Sequence, residues 1–231
     1  MGVLVLHGFT GNPYSMRPLA ERCAEAGYSV ELPRLPGHGT TLADLVPRRW
    51  SDFVEVALAS YDELAGRSEK VAVVGLSVGG GLVAYLAEER EPLAGCVLIN
   101  PLVKPPLPEL YDGLLQLLDA GVESIESIGS DVKKEGVNES SYGATPLLPA
   151  KSLFDGIASV HEKLGQITAP VLLLSSREDH VVTSDNGDDL VAGVSGPIER
   201  IWLEDSYHVA TIDNDQELVE SLTMDFLARV L

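Results

Sequence analysis

Cysteine is scarce in this chain, with only Cys23 and Cys96 in 231 residues. That excludes a disulfide-stapled scaffold and a thiolate metal site, both of which need more thiols at recognisable spacings. Cys23 falls in a helical pattern and Cys96 in a strand-like run, so both read as small core residues. Basic residues are scarce too: 16 Lys and Arg face 35 Asp and Glu, a formal net charge of −19. Such a surface repels phosphate backbones and anionic lipid, so the expected partner is a small neutral or cationic molecule and no nucleic acid. Long apolar runs are missing. Stretches such as Val71 to Gly75 and Val171 to Leu174 are strand length, far short of the roughly 20 residues that span a bilayer, so no stable membrane insertion is expected. The N-terminus, Met1-Gly2-Val3-Leu4-Val5-Leu6, has no positively charged leader pattern, and the chain reads as cytoplasmic.

What is present is alternation. Short β-branched runs trade places with segments whose apolar residues recur at helical spacing, the pattern of a parallel sheet flanked by helices. Strands are predicted at Gly2 to Leu6, Tyr28 to Leu32, Val71 to Gly75, Ala94 to Ile99, Val171 to Ser175 and Ile198 to Leu203. Helices are predicted at about Ser15 to Ala26, from Trp50 through Leu64, and at Val78 to Glu89, Ser152 to Leu164, Ser184 to Ala192 and Asp215 to Val230. Gly27 suits a left-handed cap after the first of these. The alternation breaks at about residues 102–150, a proline-rich start, a leucine-rich helical stretch near Leu110 to Leu118 and a polar loop, which read as a small inserted cap in one domain spanning 1–231. No internal repeat is evident.

Gly75-Leu76-Ser77-Val78-Gly79 matches G-x-S-x-G where a buried strand gives way to a helix, the context in which that pentapeptide presents a nucleophile. By composition alone it would occur roughly once in ten to fifteen chains of this size, so the placement carries more than the match. A serine hydroxyl needs a base to take its proton. His208 follows the last strand and so reaches the same sheet edge as Ser77; His180 is the alternative, while His7 and His38 sit in Gly-rich turns and His161 on a polar helix face. A carboxylate must then hold the imidazole tautomer: Asp179, after the strand ending near Ser175, has the fitting chain order, with Glu178 and Asp205 as competitors. His7-Gly8-Phe9-Thr10-Gly11 follows the first strand, where backbone N–H groups of Phe9 and, across the site, Val78 would form an oxyanion hole.

Those segments, with Leu35-Pro36-Gly37-His38-Gly39-Thr40, Glu178-Asp179-His180-Val181-Val182 and Ser206-Tyr207-His208-Val209-Ala210-Thr211, resemble the bacterial monoacylglycerol lipases and related small carboxylesterases. The resemblance runs nearly the whole chain and into the insertion, through Ile128-Gly129-Ser130-Asp131-Val132-Lys133-Lys134 and Val137-Asn138-Glu139. It implies an α/β-hydrolase fold and a serine ester hydrolase that releases a fatty acid and glycerol through an acyl-serine intermediate. By the same matches it implies the roles given to Ser77, Asp179, His208, Phe9 and Val78, with Glu139 and Ile128 near the alcohol portion of a neutral lipid ester. It implies no cofactor and no metal. A general carboxylesterase or a thioesterase would share this machinery, and a catalytically silent binding module is disfavoured because all three triad residues are present. The insertion's leucines, Leu110, Leu114, Leu117 and Leu118, either shelter an acyl chain or form the cap's own core.

Overall fold

Apolar runs of strand length become strands buried on both faces, and the described residues hold four of them. The computed structural model describes residues 1–90 and 93–231. Along them the strands are β1 (Gly2–Leu6), β2 (Ser29–Glu31), β3 (Val71–Leu76), β4 (Gly95–Ile99), β5 (Ser124–Glu126), β6 (Ala144–Pro146), β7 (Val171–Ser176) and β8 (Ile198–Leu203). The helices are α1 (Arg17–Glu25), α2 (Leu42–Leu45), α3 (Trp50–Ala65), α4 (Val78–Glu89), α5 (Pro108–Asp119), α6 (Leu147–His161), α7 (Asp185–Gly193) and α8 (Gln216–Val230). Six strands form one parallel sheet in the order β2-β1-β3-β4-β7-β8. Every residue of β1, β3, β4 and β7 is buried.

The period of two in each strand divides the core into two layers. Val3, Val5, Ala72, Val74, Val97 and Ile99 face one side, where Met16, Leu19 and Cys23 of the α1 region and Val219, Phe226 and Leu227 of α8 cover them. Leu4, Leu6, Val73, Cys96, Leu98 and Leu173 face the other, against Phe53, Ala57 and Leu64 of α3, Leu82 and Leu86 of α4, and Ile157 of α6. The two free cysteines lie in opposite layers, and burial pushes each thiol up to about 12. Both are core residues, as their sequence setting implied. α1 ends before Gly27, whose φ is +92°. No helix among the described residues is long and apolar enough to cross a membrane.

This layering positions the site. The segment after β1 turns to α1 on one face, and β3 runs directly into α4 on the other. Adjacent parallel strands whose following segments diverge leave a crevice at their carboxyl ends, the usual ligand position in open α/β sheets. Between β4 and β7, the stretch expected to be a helix and a polar loop holds α5 and the two-stranded antiparallel pair β5-β6. The pair escaped prediction because its three-residue strands are too short to show a period. α6 begins at Leu147 instead of near Ser152, since Pro149 falls in its first turn, where a missing N–H costs nothing. The four-residue α2 was also not anticipated; its Thr41 hydroxyl caps the Asp44 N–H.

Candidate active site

Ser77 is the last residue before α4 and has φ +56°, ψ −118°, a left-handed conformation that a serine adopts only under constraint. The constraint is steric. A Cβ on Gly79 would strike the carbonyl oxygen of Leu6, and one on Gly75 would strike the carbonyl of Gly79. β1, the turn and the start of α4 can therefore close on one another only through glycine. The serine backbone is then pinned: its N–H donates to the Ile99 carbonyl at 3.0 Å, and its own carbonyl accepts from Leu102 N–H at 3.0 Å.

His208 lies in the loop between β8 and α8 and is buried. Its Nδ1 is 2.8 Å from Oδ2 of Asp179, on the loop after β7, and both side chains are more than nine-tenths covered. The other Asp179 oxygen accepts from the backbone N–H groups of Val181 and Val182, both at 2.8 Å. That turn leaves one oxygen of the carboxylate for the imidazole. Burial pulls the His208 pKa down, yet the Asp179 hydrogen bond and the charges of Asp179, Glu139 and Asp131 outweigh it and leave the pKa above its ordinary value. Nδ1 is thereby committed to Asp179, which leaves Nε2 as the ring nitrogen available to another partner. The alternatives do not share this placement: His180 is exposed with its ring on Asp131, Glu178 pairs with Lys133, and so does Asp205. His161, expected on a polar helix face, is half-buried beside Asp189.

Phe9 and Val78 line the same cavity as Ser77, and among the described residues neither amide N–H has a protein acceptor. His7 fixes the Phe9 loop: its Nδ1–H donates to Gly8 O at 2.9 Å, and its Nε2 accepts from Leu35 N–H at 3.1 Å. The His38 ring meets that of His7 edge-on at 5.2 Å and that of Phe9 at 5.7 Å. Burial, with the charge of His38 second, lowers the His7 pKa to about 3, and burial lowers that of His38 to about 4. Both are neutral structural groups, the role their Gly-rich turns suggested.

Ser77, Val78, Phe9, His208, Glu139 and Ile128 line one cavity of about 300 Å³. Asp179 sits behind His208 and does not line it. Glu139 is partly buried, packed so closely on Gly11 that a Cβ there would lie 2.6 Å from its Oε1. Desolvation raises its pKa, opposed by His208 and the Ser15 hydroxyl. Ile128 is 70% exposed at the rim. The apolar wall comes from Leu102, Ala150, Leu153, Phe154, Val182 and Val209. The α5 leucines do not shelter this space. Leu114 and Leu118 pack behind it on Leu147, Ala150 and Phe154, whereas Leu110 and Leu117, seven residues apart on the opposite stripe, are exposed.

A model of the family described as serine aminopeptidase, S33 (Hydrolase_4) matches residues 2–215. The chain belongs to this family of α/β-hydrolases. It is 41% identical to the thermostable monoacylglycerol lipase of Bacillus sp. (strain H-257), over 99% of this chain and 91% of that protein. It is 29% identical to a carboxylesterase of Bacillus subtilis (strain 168), over 99% and 92%. A solved structure from work on LipS and LipT, two metagenome-derived lipolytic enzymes, superposes with a TM-score of 0.94 at 41% identity, covering 99% of this chain and 93% of that one.

Two side chains around this hydrolase site went unassigned in the sequence. Asn100, buried at the end of β4 with φ +42°, accepts from Ser176 N–H at 2.7 Å and donates to the His208 carbonyl at 2.8 Å. Asp213, fully buried, accepts four backbone N–H groups, those of Lys133, Lys134, Tyr207 and Asn214, at 2.8 to 2.9 Å. The signal for Asn100 was a polar residue ending an apolar strand; Asp213 looked like one more acid in an acidic chain.

Proposed function

We propose that this hydrolase is a monoacylglycerol lipase, in which Ser77 is acylated by a neutral lipid ester and water then releases the fatty acid. The observation that carries the reading is the single cavity joining Ser77 and His208 to an apolar wall on one side and the Glu139 carboxylate on another. In the first step Ser77 Oγ forms a bond to the ester carbonyl carbon while His208 Nε2 takes the hydroxyl proton; Asp179 keeps the other ring nitrogen protonated and balances the imidazolium. The tetrahedral oxyanion is met by the N–H groups of Phe9 and Val78, a role worth about 10² to 10³ in kcat per donor. Collapse expels glycerol with the proton from His208, and water repeats the sequence on the acyl-enzyme. Glu139 accepts hydrogen bonds from the glycerol hydroxyls, with Ile128 against the same portion. The stretch 102–150 serves as the cap over the site, part of a single domain.

A cavity of about 300 Å³ is at the small end of ligand pockets, which run from roughly 300 to 1,000 Å³. That favours short and medium acyl chains. The identity to a carboxylesterase supports a second reading, general esterase action on the same chains. Initial rates on mono-, di- and triacylglycerols beside p-nitrophenyl esters of graded length separate the two. The lipase reading expects monoacylglycerols to be preferred, and Glu139→Gln to lower kcat/KM for monoacylglycerol about tenfold or more while an ethyl ester of the same acid changes less than threefold. Equal losses on both substrates would remove Glu139 from the alcohol site, and activity confined to short p-nitrophenyl esters would favour the esterase.

A further inference from the structure

Two Asp–His pairs interlock at this site, and only one of them belongs to the triad. Asp179 and His180 are adjacent in sequence on the loop after β7. Asp179 reaches across to His208. His180 turns the other way, its Nδ1 2.8 Å from Oδ1 of Asp131, while its backbone N–H donates to Oδ2 of the same residue at 3.2 Å. That Oδ2 also accepts from the backbone N–H of His208 at 3.0 Å, and the Asp131 carbonyl accepts from Val209 N–H at 3.1 Å. Asp131 is 8% exposed and lines the cavity. One carboxylate, carried by the stretch between β4 and β7, thus holds the loop of the acid and the loop of the base together.

We infer that Asp131 is a positioning residue for His208: it fixes the backbone of the catalytic histidine, adds a further negative charge beside it, and is itself held in register by His180. The inference rests on the serine-hydrolase reading. Its physical basis is that an imidazole must stay within a few tenths of an ångström of its productive position, and a loop residue does so only when neighbouring groups lock it. Asp179 restrains the ring; Asp131 restrains the main chain to which the ring is attached. The charged groups that act on His208 are Asp179, Glu139 and Asp131, all of which favour its protonated form. Around the interlock, the Tyr207 ring stands edge-on to His180 at 4.6 Å, and Lys133 bridges Glu178 and Asp205 at 3.3 and 3.2 Å.

The test compares wild type, Asp131→Asn and His180→Gln by kcat and KM on p-nitrophenyl butyrate from pH 5 to 9, with fluorophosphonate labelling of Ser77 and thermal unfolding alongside. Asp131→Asn retains an acceptor and loses the charge. It should lower kcat about tenfold with KM within twofold, and move the acidic limb of the profile down by about half a unit to one unit. His180→Gln, at an exposed position, keeps the Asp131 charge; it should lower kcat about threefold and leave the limb in place. An Asp131→Asn protein whose loss of activity only tracks its loss of folded fraction, with the limb unmoved, would overturn the inference. If Asp131→Asn does not fold, His180→Gln decides: an unchanged kcat overturns it. A wild-type Ser77 that takes no label would overturn the hydrolase reading and this inference together, whereas labelled Ser77 with unmoved variants overturns this inference alone.

Discussion

Acidification should destabilise this protein through two histidines beneath the site, and the loss can be sized. His7 and His38 are buried, with pKa values lowered from 6.5 to about 3 and about 4. A histidine whose folded pKa lies below its unfolded value binds more protons when unfolded. Its contribution is therefore fully present above pH 6.5 and is lost as the pH falls toward the folded value. At pH 4.5, two units below 6.5, each group costs about 2 to 3 kcal/mol, so the pair costs on the order of 5 kcal/mol. That is comparable with the whole stability of a marginal domain, about 5 to 15 kcal/mol. His208 has the opposite sign, since its raised pKa favours the fold at low pH and that contribution fades as the pH rises through the folded value. Carboxylates titrate in the same window, so the histidine part must be isolated by difference. Glutamine at position 38 can still donate to the Pro36 carbonyl that His38 Nδ1 meets at 3.0 Å, and it does not titrate. Urea unfolding at pH 7.5, 6.5, 5.5 and 4.5 should show wild type losing about 2 to 3 kcal/mol more than His38→Gln across the range, at constant m. Equal losses in the two proteins would refute the reasoning.

Asp179→Asn should cut kcat by about 10⁴, because an amide can donate toward Nδ1 and so favours the wrong tautomer, while its oxygen still accepts from Val181 and Val182; steady-state rates and a thermal scan check both halves, and a loss below about tenfold would point to another acid. Glu88 on α4 has both carboxyl oxygens buried without a hydrogen-bond partner among the described residues, and desolvation pushes its pKa up to about 8. With a folded value above the unfolded one, its penalty is absent below pH 4.5 and grows as the pH rises through 8. Glu88→Gln should then be more stable than wild type at pH 9 by about 1 to 2 kcal/mol, discounted for partial exposure, with no gain at pH 4.5; urea midpoints at the two pH values measure it.

The parallel sheet was legible because its strands are buried on both faces and so carry uninterrupted apolar runs, such as Val71-Ala72-Val73-Val74. The candidate site was legible where sterics force residue type. Gly79 cannot carry a side chain against Leu6, and a serine between such glycines at a strand end has few other uses. What escaped was whatever depends on contacts distant in sequence. Asp131 was visible only as part of a resembling segment, because its partners His180 and His208 lie 49 and 77 positions away. The role of the α5 leucines stayed open for a related reason: periodicity locates an apolar stripe without saying whether the stripe faces a ligand or the back of the wall that does. Short strands such as β5 and β6 fix too few side chains to leave a pattern at all.

Backbone strain marks the same place from a different direction. Among the described residues three non-glycine positions have positive φ, Thr10 at +61°, Ser77 at +56° and Asn100 at +42°. Each follows a strand, β1, β3 and β4, and those strands are neighbours in the sheet. Such conformations cost of order 1 to 3 kcal/mol each and persist only where surrounding contacts over-determine them. Here the contacts are explicit. Thr10 gives its carbonyl to Tyr142 N–H at 3.0 Å, Ser77 is held by Ile99 and Leu102, and Asn100 is held by Ser176 and the His208 carbonyl. The three turns thus follow neighbouring strands, Thr10 and Ser77 line the cavity, and Asn100 is tied to the loop of His208. Relaxing one, for instance by removing the Asn100 amide, releases the His208 loop as well as its own strain. The β strands supply a rigid edge, and the strained turns fix the loop of Phe9, Ser77 itself and, through the Asn100 amide, the loop of His208.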